Sequence, residues 1–229
     1  MGLCAYRHGL PFDAPSLVPV SPMDPTPSAE LVSIVVVGQF NPAIVTPLWL
    51  EREQLASPEE VAASTLKLIH PDVSDFSIGE KNLQLRRDRL TLTTSDTRFE
   101  EAMRDLAVGI LGLLRHTPAT MVGLNYEADF KLPSVDSWHD KGHQLGPKEP
   151  WAGFTNKPGL MSLTMRDNER KEGYRHITVG PLSPQVLRVF INDHYELGQP
   201  EASEAQACIE KNWRSSIAES RRIATELAR

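Results

Sequence analysis

The sequence predicts an α+β fold: a mostly antiparallel sheet with helices packed on one face, a long C-terminal helix and a proline-rich N-terminal arm. Three adjoining segments carry that prediction. LQLRRDRLTLTT (83–94) reads as a β-hairpin, TRFEEAMRDLAVGILGLLRH (97–116) as a capped amphipathic helix, and TMVGLNYEADF (120–130) as a strand. The expected organisation is an extended or disordered arm over residues 1–30 and one α+β domain over 31–229, with a long loop or insertion at 133–158 and a helix at 201–228.

Six of the 18 prolines fall in residues 1–30, a spacing that forbids helix and discourages interior strand pairing. From Leu31, LVSIVVVGQF is β-branched and apolar, as expected of a strand buried on both faces or central in a sheet, and Asn41-Pro42 ends it. Residues 46–56 and 57–67 each look helical. Ser57, Pro58 and Glu60 supply a hydroxyl cap, a first-turn proline and a capping-box glutamate. Val73–Ile78 reads as a short strand ending at Gly79. Leu83 and Leu85 differ in parity from Leu90 and Leu92, so a single strand would point the pairs at opposite faces. A turn at Arg86–Arg89 removes the conflict.

Thr97 and Glu100 match a capping box, and Phe99, Met103, Leu106, Ile110 and Leu113 form an apolar stripe. Gly109 and Gly112 are expected where the helix packs closely on the sheet. Residues 133–158 crowd proline, glycine, histidine and tryptophan into either a short helix (134–144) with a long loop or an irregular insertion. Strands are expected again at 160–165, 174–179 and 186–195, giving about six to eight in all. In the last helix, Ala202, Ala205, Ile209, Trp213, Ser216, Ser220, Ile223 and Leu227 recur at spacings of three and four.

At 229 residues the chain can bury a full core without staples. Its apolar fraction of 40% and charged fraction of 24% are ordinary for a globular protein. A net charge of −6 weighs against a general nucleic-acid binder. Two cysteines, Cys4 and Cys208, make no disulfide framework. No apolar run approaches the roughly 20 residues of a membrane span, and MGLCAYRHGLPF lacks the apolar core of a signal peptide. A cytoplasmic protein is expected.

Three constellations bear on chemistry. On a helix, Asp136, His139 and His143 in DSWHDKGH share a face, and zinc catalysis commonly uses three protein ligands and an open position. No glutamate lies between the histidines, so the metalloprotease helix signature is absent. Strand alternation puts Asn192 and His194 on one face and Asp193 on the other, so Asp193 and His194 form no dyad. Arg86, Arg87 and Arg89 at the hairpin tip, with Arg214, Arg221 and Arg222 on the last helix, could clasp phosphates. The last helix also carries Glu204, Glu210, Glu219 and Glu226, as a solvated mixed face would. No phosphate-binding or dinucleotide-binding glycine motif and no nucleophile elbow is present.

The order IVVVGQFNP, LQLRRDRLTLTTSDTRFEEAMRDL and MVGLNYEADF, over about residues 31–130, resembles a sporadically distributed bacterial family of α+β proteins with no assigned biochemical activity. The features that carry the likeness are Phe40-Asn41-Pro42, the hairpin Leu83–Thr94, and Gly123-Leu124-Asn125-Tyr126. The resemblance implies the fold and carries over no catalytic residue.

The leading expectation is a non-catalytic protein-binding or assembly subunit that also associates with its own copy. Trp151, Phe154, Trp213, Arg214 and Arg221 are its expected interface residues, and it needs no cofactor. The alternative is a metal-dependent enzyme holding a divalent ion at Asp136, His139 and His143. The second alternative is a nucleic-acid-binding module.

Overall fold

A row of strands that all turn their apolar residues to one side must be closed by helices on that side. The structure, a computed structural model, describes residues 24–169 and 173–229; residues 1–23 of the expected arm lie outside the described residues. Nine strands form one antiparallel sheet: β1 (Ala29–Gly38), β2 (Thr65–His70), β3 (Val73–Ile78), β4 (Lys81–Arg86), β5 (Arg89–Thr94), β6 (Ala119–Lys131), β7 (Leu163–Asp167), β8 (Gly173–Ser183) and β9 (Val186–Glu196). Their spatial order is β2-β3-β4-β5-β1-β6-β9-β8-β7. The expected α+β antiparallel fold is therefore present, with more strands than the six to eight anticipated.

The apolar β1 is the fifth strand of nine. Val32, Ile34 and Val36 are buried under the helices, while Ser33, Val35 and Val37 on the other face are half-buried. Cross-strand register continues this division: Ile34 faces Leu92 of β5 and Leu124 of β6, and Leu83 of β4 faces Leu92. The turn inferred at Arg86–Arg89 joins β4 to β5 and keeps Leu83, Leu85, Leu90 and Leu92 on the buried face.

Two short helices follow β1. The first, α1 (Pro47–Arg52), is capped by Thr46, whose hydroxyl accepts from Trp49 N at 3.2 Å. The second, α2 (Pro58–Ala62), carries the expected capping box, Ser57 Oγ accepting from Glu60 N and Glu60 from Ser57 N at 3.0 Å. It stops at Ala62 rather than near Lys67, because Thr65–His70 pairs with Val73–Ile78 as a hairpin. A cap fixes where a helix starts but not its length, and a helix this short gains little cooperativity against strand addition.

A 3₁₀ turn (Thr97–Phe99) leads into α3 (Glu100–Leu113), which joins β5 to β6. Asp96, not Thr97, caps the 3₁₀ turn, accepting from Arg98 N at 3.0 Å, and α3 itself starts after Phe99 with no side-chain cap. The expected Thr97–Glu100 capping box is not formed because Arg221 claims the Glu100 carboxylate at 2.5 Å. Met103, Leu106, Ala107, Ile110 and Leu111 are buried, while Leu113 is exposed. A Cβ on Gly109 would lie 2.5 Å from Leu55, and one on Gly112 would lie 3.2 Å from Gln206. Those glycines admit the α1–α2 loop and the last helix, not the sheet.

Helix α4 (Val135–Leu145), capped by Ser134, resolves the 133–158 ambiguity into a helix with a loop and buries Trp138. Helix α5 (Ala202–Ala228) lies over β6 and β9 and beside α3. Its buried stripe runs Ala202, Ala205, Ile209, Trp213, Ser216 and Ser220 as expected, with Ile217 beside it, then drifts from Ile223 and Leu227 to Ala224 and Ala228, because 3.6 residues per turn does not hold a fixed spacing over 27 residues. None of the described helices is long and apolar enough to cross a membrane.

Candidate functional site

The face opposite α3 and α5 is built by register. One transverse row crosses all nine strands: Thr65, Ser77, Asn82, Thr93, Ser33, Asn125, Asn192, His176 and Arg166. An antiparallel sheet can leave a face wet when that face is polar, and here the side chains bond one another. Asn125 Nδ2 donates to Ser33 Oγ at 2.9 Å, Asn192 donates to Asn125, and Ser77 Oγ donates to Asn82 at 2.6 Å. Arg188 grips Asp129 at 2.7 and 2.8 Å and meets Glu127 at 3.0 Å.

Toward β7 the row becomes aromatic. The Arg166 guanidinium sits 3.8 Å from the Tyr174 ring centre, and Tyr174 stacks on His194 at 4.4 Å and tilts against His176 at 4.6 Å. Burial pushes the His194 imidazole below its ordinary value; nearby His176 and Arg166 add to this and Glu196 opposes it. These contacts tie the short β7 to β8 and β9, and Tyr174 is already engaged by three neighbours.

On the helix side, Asp193 is fully buried and accepts from Arg175 Nε at 2.5 Å and Nη2 at 2.7 Å, and from Ser216 Oγ of α5 at 2.5 Å. Alternation separates Asp193 from His194 as the sequence implied. With both oxygens held by donors, Asp193 acts as a clamp between α5 and strands β8 and β9. A second clamp joins α5 to α3 and β1: Arg221 bonds Glu100 at 2.5 Å and Glu30 at 3.1 Å, and Tyr126 Oη donates to Glu30 at 2.6 Å. Burial, then the Glu30 carboxylate, raise the Tyr126 hydroxyl well above its usual range.

The residues singled out in the sequence are dispersed. His139 and His143 of α4 line one cleft with Lys148, Glu149 and Lys157, and Asp136 is not part of its lining. Among the described residues no group of three or more His, Cys, Asp or Glu is placed to hold a metal ion. Trp151 and Phe154 are exposed in the loop after α4, whereas Trp213 is 1% exposed and belongs to the core, not to a free surface. Arg214 pairs with Glu101 at 2.9 Å, Arg222 with Glu219 and Glu226 at 2.7 Å, and Arg87 with Asp72. The helix arginines are thus neutralised locally by the glutamates that share or face their helix.

The sequence reading missed the sheet edge. All six residues of β2 are exposed, including Leu66 at 60%, Leu68 at 52% and Ile69 at 45%. An edge strand presents unpaired N–H and C=O groups, and lysine is a common guard against unwanted pairing. Lys67, in a register shift between Leu66 and Leu68, instead leans over the sheet to Asn82 at 2.9 Å and Asp75 at 3.9 Å. The available signal was TLKLIH, six strand-compatible residues closed by Pro71-Asp72 immediately before Val73–Ile78. No protein-family model matches the chain, and no curated protein matches it in sequence.

Removing one member of a buried ion pair strands the other charge, so Asp193→Ala should lower unfolding free energy by about 3–5 kcal/mol. Replacing both partners, Arg175→Met with Asp193→Leu, should recover most of that loss in urea melts. Equal losses in the single and double variants would refute the clamp. Because the folded-state pKa of His194 is depressed, the unfolded chain takes up its proton first. The associated stability is present above the ordinary imidazole value of 6.5 and is lost as pH falls through the depressed folded value. Between about pH 8 and about pH 5, His194→Gln should lose less melting temperature than the unaltered protein, and an equal loss would contradict this.

Proposed function

We propose that this protein is a non-catalytic assembly subunit that binds a protein partner, its own copy included, by lending the β2 edge to an added strand. The observation that carries the reading is the apolar exposure of this edge: among the described residues, Leu66, Leu68 and Ile69 are exposed on a strand whose only lysine, at a bulge, reaches back over the sheet. Strand addition draws affinity from main-chain hydrogen bonds and specificity from alternating side chains. A second copy meets both requirements, since antiparallel pairing of two β2 edges around a twofold axis places the same apolar residues on each side.

Other features agree with a binding role. The most deeply buried acid, Asp193, is saturated by Arg175 and Ser216, and Arg221 and Tyr126 are held by Glu30 and Glu100. The upward shift of Tyr126 comes from burial and Glu30, that of Arg175 from Asp193, and that of Arg221 from Glu100 and Glu30. The arginines proposed for phosphate contact on α5 carry carboxylate partners, which weighs against the nucleic-acid reading. A reducing, cytoplasmic setting belongs to the same reading and rests on the two-cysteine composition.

Light scattering on the full chain tests this directly. The mass should rise above the 25.5 kDa of one chain with concentration, and the surface variant Leu66→Lys with Leu68→Lys should remain at one chain throughout. A mass that stays at one chain at every concentration, or a double variant that associates as well as the unaltered protein, overturns the proposal.

A further inference from the structure

After α4 the chain turns back toward β7 through residues 146–162, and this return leaves two clefts that share a wall. The first, of about 660 Å³, is lined by His139, His143, Lys148 and Lys157, with Glu149 the one carboxylate in its lining. The second, of about 640 Å³, is faced by Trp151, Pro158, Leu160 and Met161. Lys148, Thr155, Pro158 and Gly159 line both. Each volume lies in the range of small-ligand sites, which pair apolar walls with a few placed polar groups.

The two halves differ in chemistry. In the first, two ammonium groups and two imidazoles face a single carboxylate, an excess of donors and positive charge suited to an anion. In the second, Trp151 is 57% and Met161 81% exposed, leaving apolar surface that a ligand would remove from water. Leu160 belongs to the apolar wall of the second, its side chain lying 3.2 Å from where a Cβ on Gly146 would be.

We infer that the two adjoining clefts together bind one small amphipathic anion, its carboxylate or phosphate head between Lys148 and Lys157 and its alkyl chain along Trp151 and Met161. This site lies apart from the β2 edge and stands without it. It also gives His139 and His143 a role as donors to an anionic head rather than as metal ligands.

Calorimetric titration of the full chain with monomeric decanoate and decyl phosphate tests the inference, with acetate and decyltrimethylammonium as head-only and reversed-charge controls. At least one of the two anions should bind saturably at one per chain, and the tighter one identifies the head group. Decyltrimethylammonium and the Lys148→Glu, Lys157→Glu double variant should each weaken binding at least about tenfold, the equivalent of about 1.4 kcal/mol. Met161→Glu should weaken it as well, with circular dichroism unchanged in every variant. Absence of saturable binding, equal affinity for decyltrimethylammonium, or an affinity indifferent to both sets of substitutions overturns the inference.

Discussion

Nine strands spaced about 4.8 Å apart make a sheet about 38 Å wide, and two helices packed side by side cover only about 20 Å of it. That mismatch governs the molecule. Helices α3 and α5 lie over the middle, where Val32, Ile34, Val36, Val122, Leu124 and Ile191 are fully or almost fully buried. Beyond them the chain improvises cover. On one side Val45 and Leu50, with Ser74 Oγ bonding the Val45 carbonyl at 2.7 Å, close β3 and β4. On the other, α4 brings in Trp138. The cover gives out at β2, whose residues are all exposed, and at β7, where only Leu163 is partly covered.

Polar clamps settle what hydrophobic cover leaves loose. Burying Asp193 is costly in isolation, and Arg175 with Ser216 offsets that cost while fixing α5 over β8 and β9. Arg221 repeats the device at the other flank, joining α5 to Glu100 of α3 and Glu30 of β1. One helix thereby ties the central β1 and α3 to β8 and β9. The opposite face is organised otherwise: its polar row is linked side chain to side chain at Ser77–Asn82 and through Ser33, Asn125 and Asn192, and the face is compatible with water.

The central elements were legible because their signals are local. Parity placed the turn at Arg86–Arg89, β-branched content marked β1, and three–four spacing marked α5 as a helix. What was not legible depended on partners distant in the chain. Glu100 fits a capping box by spacing, yet Arg221, 121 residues away, takes its carboxylate. Gly109 and Gly112 pack on Leu55 and Gln206 rather than on the sheet. Trp213 sits in the apolar stripe that the sequence displayed, and the stripe faces inward. The edge status of β2 follows from strand order, a property of the whole chain, and the placing of His139 and Lys157 around one cleft depends on how the loop after α4 folds back.

Uneven cover is thus the central claim, and hydrogen–deuterium exchange at two protein concentrations tests it most directly. The account predicts strong protection of β1, β6 and β9 at both concentrations. It predicts rapid exchange along Thr65–His70 in dilute protein and marked protection of the same segment in concentrated protein, as a second edge pairs with it. Equal protection of β2 and β1 in dilute protein, or rapid exchange in β2 where the chain is associated, would contradict it.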